Sequence, residues 1–226
     1  MKIGVLLHGS GVYDGTEIQE AVLSLLAIAE AGHSYFCFAP NVAQHHVVNH
    51  LTGDEMAEER NVMVESARIA RGEVADVATV TANDFDALVM PGGFGTAKNI
   101  SQWAFEGPAG AINETVKNLL IQTVEAGKPI AALCMSPTTL AKAFENTSIA
   151  ATLSVGTTAA ASPYDIAAIS EGMETVGVEV EMKTVTELSI DAKNKIVCAP
   201  CYMMEADIVA VNKNVKQAIS TLVTMC

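Results

Sequence analysis

Residues 127–144 read GKPIAALCMSPTTLAKAF, and their reading decides how the rest of the chain is organised. A Gly-Lys-Pro turn opens the stretch, and the apolar run 130–133 predicts a buried strand. Met135 and Ser136 then lead into Pro137, which suits the first turn of a helix because its missing N–H is not needed there. Residues 138–144 have helical composition. Cys134 therefore falls on a tight strand-to-helix turn, with its sulfur raised above a sheet. A helix N-terminus favours a thiolate over a thiol, and activated nucleophiles are often presented in this way. The same residues equally describe a buried cysteine in an apolar strand, since free cysteine is among the most buried residue types. Local sequence leaves both readings open.

Strand and helix signals alternate on either side. Residues 2–7 form an apolar strand candidate that ends in the glycine-punctuated loop HGSGVYDG (8–15). Thr16-x-x-Gln19 has the form of a capping box and opens a helix to Ala31, with Ile18, Val22, Leu25, Leu26 and Ala29 at helical spacing. Strands are predicted over 34–39 and 86–90, the second stopped by Pro91-Gly92-Gly93. The segment 58–71 is partly helical, and an amphipathic helix spans 111–126. Beyond the Cys134 turn come a strand over 149–155, a helix over 163–173, a strand over 178–182, a small hairpin made of 188–190 and 196–198, and a closing helix over 205–224. This pattern predicts an α/β fold, a doubly wound sandwich with a mostly parallel sheet, as a single domain over residues 1–226.

Composition excludes several classes. Twenty-six acidic residues against 13 basic ones give a formal net charge of −13, which argues against a nucleic-acid binder. No window approaches the length of a membrane span. Five cysteines without a secretory signal point to reduced thiols and a cytoplasmic protein. Cys198 and Cys201 have CxxC spacing, but no second pair or downstream histidine completes a metal site. Neither a metal nor a cofactor is expected.

In a doubly wound fold, ligands sit beyond the C-terminal ends of the strands. That rim holds the 8–17 loop, Gly92-Gly93, Cys134 to Ser136, and Gly156-Thr157. The backbone amides of Gly93 and Met135 are candidate oxyanion donors, with Gly92 allowing close approach. Glu17, in the first turn of the first helix, is the candidate proton carrier, because a carboxyl beside a thiolate holds its proton longer than usual. All five histidines (His8, His33, His45, His46 and His50) precede Cys134. A Cys-His-Glu triad with its histidine downstream is thus absent, which argues against glutamine hydrolysis.

Several segments, GVYDGTEIQEAVLSLLAI (11–28), NHLTGDEM (49–56), RNVMVESARIARGEV (60–74), DALVMPGGFGTAKN (86–99) and the Cys134 turn, resemble the ElbB-type proteins. These are also called enhancing lycopene biosynthesis or sigma cross-reacting proteins. They belong to the PfpI-like, class I glutamine amidotransferase-like superfamily. The resemblance implies a flavodoxin-like sandwich, a homodimer, Cys134 as nucleophile and Glu17 as its carboxyl partner. It further implies a cofactor-independent glyoxalase acting on small aldehydes, glyoxal to glycolate. Arg60 would match a basic residue facing the pocket. The chain departs from the family at His8, part of His8-Gly9-Ser10-Gly11 where relatives often have Ser-Gly-Cys-Gly. It departs again at Thr157, where some relatives carry histidine, and both are held as tentative substrate-binding positions. The alternative role is a non-catalytic cysteine sensor of oxidative stress, or an accessory protein of isoprenoid metabolism.

Overall fold

The computed structural model describes all residues 1–226. The chain begins with β1 (Lys2–Leu6), α1 (Ile18–Glu30) and β2 (Ser34–Ala39), then α2 (Val62–Ile69), β3 (Val74–Asp76) and β4 (Ala87–Met90). A short π-helical segment, Thr96–Ile100, leads to α3 (Trp103–Glu106), α4 (Glu114–Glu125), β5 (Ile130–Leu133) and α5 (Ser136–Phe144). The remainder comprises β6 (Thr152–Leu153), α6 (Ile166–Thr175), β7 (Glu179–Val180), β8 (Ser189–Asp191), β9 (Ile196–Ala199) and α7 (Ile208–Thr224).

Seven strands form one sheet in the order β3-β2-β1-β4-β5-β9-β8, and only the β8–β9 edge is antiparallel. The predicted hairpin is therefore the margin of the main sheet rather than a separate appendage. β6 and β7 make a small parallel pair of their own. Asp191 on β8 ties that pair to the sheet by accepting from the Thr152 amide at 3.0 Å. Connections run outward in both directions from the β1–β4 pair. Right-handed crossovers then place α1 and α4 on opposite faces. α1 packs against α7, and α4 packs against α5. This is the flavodoxin-like α/β sandwich expected from the sequence, with its topological switch between β1 and β4.

The central strands β4, β5 and β9 are buried at every position, as parallel strands covered on both faces must be. They belong to a single apolar cluster of 52 residues running from Ile3 to Leu222. No helix is long and apolar enough to cross a membrane.

Two sequence expectations change at α1. Thr16 does not cap it. Its hydroxyl accepts from the His8 amide at 2.8 Å, and Glu17 is the N-cap, its Oε2 accepting from the Glu20 amide at 2.6 Å. Nor do Ile18, Val22 and Leu26 face the core; they are 45%, 47% and 46% exposed. The inner face is instead Glu20, Ala21, Ser24, Leu25, Ala27 and Ile28, where the small Ala21, Ser24 and Ala27 let the helix lie close to the sheet.

Candidate active site

Cys134 stands between β5 and α5 with φ of +57°, a left-handed conformation that costs a non-glycine residue energy. The strain is held by its surroundings. The Cys134 amide donates to the Ala199 carbonyl at 2.9 Å, extending the β5–β9 ladder by one bond. Ser136 Oγ donates to the Pro91 carbonyl at 2.6 Å, fixing the first turn of α5. The backbone amides of Gly93 and Met135 are directed at the sulfur.

The carboxyl against that sulfur is Glu20. Its Oε2 accepts from the Gly92 amide at 2.9 Å and its Oε1 from the Tyr202 amide at 3.2 Å, while the side chain hydrogen-bonds to Cys134. A methyl group added to Gly92 would lie 2.5 Å from Glu20 Oε2 and 2.8 Å from Cys134 Sγ, so oxygen and sulfur converge on one point. Glu20 is fully buried. Burial, and then the charge of Glu17, push its pKa up to about 8. The carboxyl therefore keeps its proton at neutral pH and can donate it toward sulfur.

Glu17 is displaced from the role expected of it. As N-cap its carboxylate turns back to the Glu20 amide; burial raises its pKa, opposed by the backbone amides of Glu20 and Gln19. It lines a neighbouring cleft rather than touching the sulfur. The thiolate expectation is likewise corrected. Cys134 is 5% exposed, and burial, followed by the charge of Glu20, raises its pKa well above the ordinary thiol value. The amides of Gly93 and Met135 pull the other way without overcoming burial.

The PGGFG turn after β4 locks onto the loop after β1. Glu17 N–H donates to Gly92 O at 2.8 Å, Phe94 N–H to Val12 O at 2.8 Å, and Gly95 N–H to Gly15 O at 2.9 Å. Gly93 has φ of +99°, and a Cβ there would overlap the Glu17 amide and the Gly15 carbonyl. These contacts explain the glycines as close-approach positions.

Three tentative binding residues lie apart from the sulfur. His8 is 1% exposed, and its Nε2–H donates to the Pro91 carbonyl at 3.1 Å. Burial lowers its pKa to about 4, so it is a neutral brace beneath the turn. Arg60 pairs with Glu58 at 2.8 Å and Glu65 at 3.4 Å instead of facing the cleft. Thr157 is buried, and its hydroxyl accepts from the Ala159 amide at 3.1 Å within its own loop. Cys198 and Cys201 are both fully buried free thiols with raised pKa values, Cys198 at about 12.

Sequence reasoning missed Glu20 and the tyrosines. A cleft of about 560 Å³ lies beside the buried Cys134–Glu20 pair, neither of which lines it; its walls include Tyr13, Tyr164, Tyr202, Glu17 and Met204. Tyr202 supplies the amide bound to Glu20, and burial, then the proximity of Cys134, pushes the Tyr164 phenol up to about 12. The inner-face phase shared by Glu20, Ser24, Ala27 and Ile28 was the available signal.

A cysteine on a strained elbow, faced by a buried carboxyl, on a doubly wound sheet defines a protein of class I glutamine amidotransferase-like fold. The chain belongs to the DJ-1/PfpI family, whose profile matches residues 12–186. That family includes proteases and glyoxalases. The chain is 38% identical over 206 residues to human glutamine amidotransferase-like class 1 domain-containing protein 3, mitochondrial, covering 90% of this chain and 75% of that one. It is 37% identical to the rat ES1 protein homolog, mitochondrial, covering 92% and 77%. A crystal structure from Ehrlichia chaffeensis, described as an isoprenoid biosynthesis protein with amidotransferase-like domain, superposes with a TM-score of 0.89 at 32% identity, covering 100% of this chain and 99% of that one.

Proposed function

We propose that the protein is an ElbB-type, cofactor-independent glyoxalase that converts small 2-oxoaldehydes to 2-hydroxy acids through Cys134 and Glu20. The observation that carries this reading is the convergence of the Glu20 carboxyl and the Cys134 sulfur beside Gly92. The similarity to the Ehrlichia protein supports the ElbB-type assignment.

With glyoxal, the ionised fraction of Glu20 takes the thiol proton, sulfur adds to one aldehyde carbon, and Glu20 passes that proton to the carbonyl oxygen, giving a hemithioacetal and leaving Glu20 ionised again. The Gly93 and Met135 amides stabilise the oxyanion that forms. Glu20 then removes the proton on that carbon and returns it to the neighbouring carbon through an enediol, leaving a thioester of glycolate. Water cleaves the thioester, so glyoxal plus one water becomes glycolate and the thiol is regenerated. A carboxyl of pKa about 8 serves as both acceptor and donor near neutral pH.

We further propose a homodimer formed through the exposed apolar residues of α1, and a cytoplasmic location, where five free thiols persist. The buried, high-pKa sulfur works against the sensor alternative. The test is glyoxal turnover by wild type, Cys134→Ser, Glu20→Gln and Glu17→Gln. We expect losses of at least about a hundredfold for the first two variants and a much smaller loss for the third. Turnover retained by Cys134→Ser, or lost in Glu17→Gln but not in Glu20→Gln, refutes the assignment.

A further inference from the structure

The walls of the cleft beside Cys134, reached through Tyr164 and through Tyr202 on Glu20, have a definite charge. Among the residues lining it are two carboxyl groups, Glu17 and Glu205, three phenols, Tyr13, Tyr164 and Tyr202, and Met204; no lysine, arginine or histidine takes part. The nearest cation along the loop, Lys98, is turned away. Its Nζ donates to the Tyr13 carbonyl at 2.8 Å and lines the neighbouring depression with His46 and His50. Arg60 is held by Glu58 and Glu65.

Carboxylates next to aromatic faces attract an ammonium group by charge and by the ring quadrupole. They repel carboxylates and phosphates, which meet no cationic side chain there. We infer that the cleft selects its carbonyl substrate by charge: small aldehydes bearing an ammonium group bind best, neutral ones are admitted, and aldehydes bearing a carboxylate or phosphate are excluded. Glu205, at the rim and outside the reacting pair, is the specificity-determining residue, with Glu17 deeper in the cleft. This inference rests on Cys134 being the reacting thiol, but its test does not require glyoxalase turnover.

The experiment compares two thiol reagents of similar size on the full-length protein at pH 8.5. One is the cationic 2-aminoethyl methanethiosulfonate and the other its anionic 2-sulfonatoethyl counterpart. Labelling of the Cys134 peptide is followed by mass spectrometry, and the cation-to-anion rate ratio is divided by the ratio for a small neutral thiol. We expect a preference of about tenfold or more in wild type, falling severalfold in Glu205→Gln and in Glu17→Gln. Glu125→Gln, an exposed change at the far end of α4, controls for the overall negative charge and leaves the ratio unaltered. A wild-type ratio near one, an equal fall in Glu125→Gln, or failure of both reagents to reach Cys134 overturns the inference. If the preference holds while glyoxal is not consumed, the charge selection stands and the glyoxalase reading fails.

Discussion

Gly92 is packed so closely against Cys134 that a methyl group on its Cα would overlap the Cys134 Cβ and sit 2.8 Å from the sulfur. The same methyl would press on Glu20 Oε2 at 2.5 Å. Neither neighbour can yield cheaply, because Cys134 is pinned on a strained elbow and Glu20 is held by two amides. Gly92→Ala is expected to destabilise the fold by about 1–3 kcal/mol and to remove glyoxal turnover. Urea denaturation with a parallel activity assay checks both; an unchanged midpoint would mean that the contact is not as tight as described.

Two buried groups shape the pH dependence of stability with opposite signs. Glu20 releases its proton at about 8 in the folded state against 4.5 ordinarily, so between these values the folded protein holds the extra proton and stability falls as pH rises. His8 titrates at about 4 instead of 6.5, so between those values the unfolded chain holds the extra proton and stability rises with pH. The slopes oppose each other up to about pH 6.5, and Glu20 then acts without that counterweight to about pH 8. Each slope is at most about 1.4 kcal/mol per pH unit. Denaturation at pH 5, 6.5 and 8 should show the steepest fall in the last interval. Glu20→Gln should abolish that fall, and a variant that retains the wild-type slope would assign it elsewhere.

The β8–β9 turn carries a second strained residue, Lys195, at φ of +55°. Nothing holds its side chain in an ion pair. Lys195→Gly should therefore stabilise the protein by about 0.5–1 kcal/mol, as the relieved strain exceeds the added freedom of the unfolded chain. Thermal unfolding gives the sign directly.

Ile18, Val22 and Leu26 recur every four residues along the outside of α1, each nearly half exposed. A self-complementary stripe of this kind suits a two-fold interface. Val22→Asp is expected to convert dimer to monomer at micromolar concentration in sedimentation velocity. A wild-type monomer would refute the proposed assembly.

The sheet was legible because parallel strands announce themselves. Residues 34–39 and 130–133 are strands over the predicted spans, each an apolar or aromatic run bounded by turn residues. The predicted strand 149–155 contracts to Thr152–Leu153, since it pairs only with the equally short β7. The position of Cys134 at the end of β5 followed from the apolar run and Pro137. Its carboxyl partner did not, for a physical reason. Three large apolar side chains of α1, Ile18, Val22 and Leu26, lie on its outer face, while the inner face mixes Leu25 and Ile28 with small residues and one buried acid. Hydrophobic periodicity weighs bulk, so large residues on both sides blurred the inner face, with Leu25 rightly included, and left Glu20 looking like solvent-facing charge. The tyrosine walls were equally hidden, because Tyr13, Tyr164 and Tyr202 come from three distant loops.

α1 has a further consequence. One side of its first turns carries Glu17, Gln19 and Glu20 toward the reacting pair and its cleft, and the other carries the apolar stripe. A 13-residue helix is too stiff for these sides to move independently. Subunit association would thus be felt at the carboxyl that handles the proton. Specific activity should vary with protein concentration, rising or falling across the same range in which the subunits come apart.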